Sequence, residues 1–202
     1  MIRFVKNILD VKNVLGMDRQ PIPDPQYPAN MTAIRSVANS TFLMLTLTGD
    51  VKVTYIHNGS EIIVYLLRTL WSGVAYRVTA DPETDITIEG NVTGITINGT
   101  YKYSFISIGN TIQSIVGVNT SQHLTTLDFR NSTALGGFAA IATAHVKTVY
   151  ANASTPLLAN IMTSVINGSL ESDCKLYIDL NDAYAASVIA TAESRGWTIY
   201  NL

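Results

Sequence analysis

The sequence predicts a mainly β fold with some α: an N-terminal arm, a small antiparallel β domain, then a short solenoid of stacked strands capped by a helix and a strand. Three observations predict it. Hydrophobic residues make up 47% of the 202-residue chain and charged residues only 14%, so the chain can bury a core and lacks the composition of a disordered polymer. Apolar runs and period-two alternation fill residues 42–79. From residue 105 onward, short strand-like segments return every 21 residues.

The arm is assigned to residues 1–33. Ile2, Val5, Ile8, Leu9 and Val11 sit near helical spacing, and Gly16 can end such a helix. Pro21, Pro23, Pro25 and Pro28 then force an extended, polyproline-like path. Two readings fit: an ordinary helix packed on its own domain, or a docking arm for another subunit. We take the second, because a helix on a stiff leash finds few partners in its own fold. The partner-binding candidates are Phe4, Val5, Ile8, Leu9, Pro21, Pro23, Pro25 and Tyr27. On this reading a chain starting at Thr32 stays folded and loses assembly.

The β domain is assigned to residues 34–84. An apolar run at 42–47 is followed by Thr48-Gly49-Asp50 as a turn, and residues 51–56 alternate as a half-buried strand should. Asn58-Gly59 is a strong hairpin signal. Residues 61–67 and 74–79 complete a meander of at least four strands.

Residues 85–202 carry the repeats. The segments 105–110, 126–131 and 147–152 align so that Asn110, Asn131 and Asn152 share one position and Ile108, Phe129 and Tyr150 another. Segments 86–91 and 93–98 look like shorter versions, and 176–181 repeats the pattern after a longer gap. A period near 21 with one short strand and an asparagine per unit is a leucine-rich-repeat signal. One unit cannot bury its own face, so units must stack. The three asparagines are the expected structural ladder, bonding backbone groups where the chain leaves each strand. The outward face is expected to carry Ser107, Gly109, Asp128, Arg130, Val149 and Ala151, a small and nearly uncharged surface suited to close packing. Thr155 and Pro156 start a helix with a stripe of Leu157, Leu158, Ile161, Met162, Val165 and Ile166, ended by Asn167-Gly168. A last helix over 182–194 and a strand over 197–202 form the cap.

The stretch LTTLDFRNSTAL at 124–135 resembles the repeats of leucine-rich-repeat surface proteins of gut Bacteroidetes, and related repeats in structural proteins of their phages. The ending, a helix followed by Arg195-Gly196-Trp197-Thr198-Ile199, is similar to how such chains finish. The resemblance covers residues 85–202. The family sets its ladder asparagine one position later, where this chain has Thr111, Ser132 and Ala153. It implies a leucine-rich-repeat-like solenoid that acts by contact.

Several function classes are disfavoured. Net charge is −2 with no basic stripe, so nucleic acid is not an expected partner. Cys174 is the only cysteine and can form no disulfide within the chain. No apolar stretch is long enough for a membrane helix. His57, His123 and His145 lack metal spacing, and no nucleophile elbow or phosphate loop appears. Asp81, Glu83 and Asp85 cluster at a turn that we take as solvated rather than as a calcium site. No catalytic, cofactor or metal site is therefore expected. The N-terminus lacks the apolar core of a signal peptide, which fits a cell interior or a particle released by lysis. The leading expectation is a phage virion structural protein, part of a tail, fibre or capsid appendage, located in the virion. Its partners would be other virion subunits or itself, as an oligomer. A bacterial surface adhesin or binding module is the alternative, and an enzyme of unknown class is third.

Overall fold

The computed structural model describes residues 27–37, 41–67, 73–98, 103–118, 123–139, 141 and 143–202. Phe4, Val5, Ile8, Leu9, Pro21, Pro23 and Pro25 lie outside the described residues. The protein is mainly β. Its strands are β1 (Met31–Ser36), β2 (Thr41–His57), β3 (Ser60–Leu66), β4 (Gly73–Val78), β5 (Thr84–Asn98), β6 (Tyr103–Ser107), β7 (Ser114–Val118), β8 (Thr126–Asp128), β9 (Gly137–Ala139), β10 (Thr148–Ala151), β11 (Lys175–Ile178) and β12 (Thr198–Asn201). Two helices, α1 (Pro156–Gly168) and α2 (Ala185–Ser194), complete the described elements. The strands join in one mixed sheet, whose main path runs β12-β11-β10-β8-β6-β1-β5-β2-β3.

The antiparallel part begins with the predicted hairpin. Asn58 (φ 51°) and Gly59 (φ 72°) link His57 to Ser60, the left-handed pair that a two-residue hairpin needs. The Asp81 carboxylate accepts both their N–H groups at 2.8 Å, and these two bonds hold it below the usual carboxylate range. The turn predicted at 48–50 is absent. β2 continues through it as one strand, shifting register against β5 between Leu47 and Val51. Gly90 (φ 118°) explains this: a Cβ there would strike the Asp50 carbonyl oxygen, so the bare glycine lets β5 close on a bulged, bent β2. The same pairing makes 86–91 and 93–98 one antiparallel strand, β5, rather than two short repeats.

The arm ends earlier than predicted. β1 begins at Met31, lies between β5 and β6, and buries Ala33 and Ile34 completely. Met31, Thr32 and Ala33 therefore belong to the sheet. β5 crosses the boundary drawn at 84/85 and pairs antiparallel with β1 and β2 and parallel with β7, so the sheet runs through that point unbroken.

Beyond β1 the strands turn parallel. β6, β8, β10, β11 and β12 align Ile106, Leu127, Val149, Leu176 and Ile199 as one inward column, with steps of 21, 22, 27 and 23 residues. A second parallel run, β5-β7-β9, aligns Ile95, Ile115 and Phe138. Phe129 and Phe138 meet edge to face at 5.4 Å between the two runs. After β10, helices take the place of the second run. Thr155 caps α1 by accepting the Leu158 N–H at 3.2 Å, and Pro156 opens it. The helix buries Leu158, Ala159, Ile161, Met162, Val165 and Ile166. Leu157, expected in this stripe, is 47% exposed, and Ala159 takes the inward position. α2 starts at Ala185, three residues later than predicted, and packs on α1.

Candidate functional site

The outward face of the parallel strands is built by a one-residue slip. The 21-residue spacing predicts Tyr150 level with Phe129, yet β10 pairs Tyr150 with Asp128. Side chains alternate along a strand, so a slip of one moves each to the opposite face. Val149 and Ala151, expected outside, enter the core, and Tyr150 faces out. The outward column becomes Ser107, Asp128, Tyr150, Tyr177 and Tyr200. The tyrosine rings stack at 4.7 and 4.8 Å, the separation of neighbouring strands. Tyr177 and Tyr200 were missed in the sequence. The readable signal was an aliphatic-tyrosine pair in three successive strands: Val149-Tyr150, Leu176-Tyr177 and Ile199-Tyr200.

Asp128 ties the column to its polar end. Its carboxylate receives Arg130 Nη2 at 2.6 Å, Arg130 Nε at 2.9 Å, the Arg130 backbone N–H at 3.0 Å and the Ser107 hydroxyl at 3.2 Å. The Asp128 side chain is only 2% exposed, so these donors replace water around a buried charge. The Arg130 guanidinium also lies over the Tyr150 ring, 4.4 Å from its centroid.

The three predicted ladder asparagines sit just beyond β6, β8 and β10. They do not bond to one another. The Asn110 backbone N–H donates to the Ala29 carbonyl at 2.7 Å, and Asn131 Nδ2 donates to the Tyr27 carbonyl at 3.2 Å. Asn152 Nδ2 reaches the Arg130 carbonyl at 3.4 Å, and its Oδ1 accepts the Ser154 N–H at 3.1 Å. An open groove of about 480 Å³ follows, lined by Arg130, Asn152, Ser154, Asp179, Asp182 and Leu202 among others. Asp182 is already engaged there, accepting the Ala153 N–H at 2.7 Å.

Tyr27 packs against strands of its own chain. Its ring lies 5.9 Å from Phe105 and its hydroxyl donates to Asp85, which also holds Arg35 at 2.8 Å. Burial, helped by the Asp85 carboxylate, raises the Tyr27 phenol well above its ordinary range. These contacts separate Asp85 from Asp81, so the acidic turn read in the sequence divides into two structural roles. His145 pairs with Glu171 at 2.7 Å beside Lys147 at 3.1 Å, contacts that lower the Glu171 carboxyl. Among the described residues no group of three or more His, Cys, Asp or Glu side chains could hold a metal ion. Cys174 is buried and free.

Compared with protein-family models, curated proteins and solved structures, the chain matches none.

Proposed function

We propose that this chain is a non-enzymatic assembly module and that its setting is a phage particle, as part of a tail, fibre or capsid appendage. We also propose that residues 103–201 form a leucine-rich-repeat-like solenoid. The observation that carries both is the in-register parallel run from β6 to β12, whose inner column and outer tyrosine column continue to β12, which among the described residues pairs only with β11. An unfilled strand edge that ends two stacked columns is a place for protein contact. Support also comes from the resemblance at 124–135 and from the low share of charged residues. Residues 1–16 retain the sequence pattern of a helix that docks on a neighbouring subunit. Mass spectrometry of purified virions from the source phage tests the proposal. The chain is expected among the particle proteins, and its absence rejects the particle setting.

A bacterial binding module is the second reading. The open groove with Arg130, Asn152 and Asp179 on its walls favours it. The neighbouring genes separate the two readings: capsid or tail genes favour the particle, an export signal ahead of the chain favours the surface.

A further inference from the structure

We propose that β3 is the seat of a twofold contact between two copies of this chain, in which β3 pairs antiparallel with its own counterpart about Ile63. The composition of the strand carries this inference. β3 ends the sheet opposite β12, and among the described residues it pairs only with β2. An open strand edge is usually guarded by lysine, proline or a bulge. Ser60–Leu66 reads SEIIVYL and holds neither lysine nor proline, and its pairing with β2 runs without a register shift. It is apolar on both faces. Ile63 and Tyr65 are 44% and 67% exposed on the outer face. Ile62 and Val64 on the inner face are half-buried, although Val53, opposite Val64 on the adjoining strand, is fully buried. The core is therefore unfinished at this edge, and one more strand of the same pattern completes both faces.

The backbone fixes which groups are on offer. His57 and Ser60 close a two-residue hairpin, so they are a hydrogen-bonded pair, and bonding alternates along the ladder from there. Ile62, Val64 and Leu66 therefore bond to β2, and Glu61, Ile63 and Tyr65 turn their N–H and C=O groups to the open edge. These three are symmetric about Ile63, and so is the seven-residue strand. A twofold axis at Ile63 sets Ile63 against Ile63 of the second copy, and Glu61 of each copy against Tyr65 of the other. It closes about six backbone bonds, two for each pair. Charge selects the antiparallel sense. Glu61 stands at one end of the strand, and Lys52 stands beside Tyr65 at the other. The twofold brings Glu61 of one copy to the Lys52 end of the other, whereas a parallel pairing sets Glu61 beside Glu61. On the inner face Ile62 of each copy meets Val64 of the other, extending the apolar layer of Val53 and Tyr55.

Sedimentation equilibrium and cysteine trapping on the full chain test this. The parent protein should sediment as a dimer that dissociates on dilution. Ile63→Lys sets two like charges face to face and should weaken the dimer about 100-fold, while circular dichroism stays that of the parent. Ile63→Cys should oxidise to a disulfide between chains, since a hydrogen-bonded pair spaces its Cα atoms about 5.5 Å apart. Leu180→Cys, at a residue 54% exposed beyond β11, should not. A parent protein that stays monomeric at every concentration overturns the proposal and leaves the edge to a different chain. So does a dimer that Ile63→Lys leaves intact, or equal trapping by Ile63→Cys and Leu180→Cys. If Ile63→Lys misfolds, the trapping yields decide alone. The contact does not rest on the particle proposal, which is judged by virion composition.

Discussion

Asp128 and Arg130 show how one buried pair governs a face. The Asp128 carboxylate holds the Arg130 guanidinium, and the same guanidinium lies over the Tyr150 ring. Arg130→Ala leaves a carboxylate that keeps only a hydroxyl and one backbone donor. It should cost about 3–5 kcal/mol of unfolding free energy, measured by urea denaturation. A loss below about 1 kcal/mol would mean that water enters and the pair is superficial. At this scale the sequence was partly legible. Thr155, Pro156, Asn58 and Gly59 act through local backbone chemistry, and each does in the structure what its type implies. The contacts of Tyr27 with Asp85 and Phe105 could not be read locally, because both partners are remote in sequence.

At the scale of elements, errors arose where a local signal met a long-range pairing. Thr48-Gly49-Asp50 has turn composition, but β5 pairs along both sides of it and holds β2 in one piece. Gly90 makes that possible. Gly90→Ala adds a Cβ against the Asp50 carbonyl at a left-handed φ and should cost about 2–3 kcal/mol, read as a lower melting temperature. Gly59→Ala also has a left-handed φ, but nothing lies within 4 Å of the added Cβ, so it should cost less. The parallel strands were found from a 21-residue period, but the second step is 22 residues, and no periodicity rule reveals a single extra residue. That residue decided whether Tyr150 or Val149 faced out, and with it the character of the candidate site.

For the whole molecule, β1 is the hinge between the two kinds of pairing, antiparallel to both β5 and β6. The sequence pointed to an independent arm reaching residue 33; the sheet claims Met31 onward, and Tyr27 and Ala29 are tied to it. A chain starting at Thr32 should therefore melt lower than one starting at Tyr27, compared by thermal circular dichroism. Equal melting temperatures would mean that residues 27–31 add nothing to the fold. Proline composition could not have shown this, because it limits the path of a segment without naming its destination.

Among the described residues β12 pairs on one side alone, and this has a mechanical meaning. Each parallel strand from β8 to β12 is held by its immediate neighbours, so tension applied at Leu202 meets one strand at a time. The sheet should peel like a zip, first letting out the 23 residues between Lys175 and Thr198, then the 27 between Thr148 and Lys175. Pulled from that end, the molecule is a ratchet of short yields; across β2 and β5, whose long strands must part together, it is a single stiff clamp.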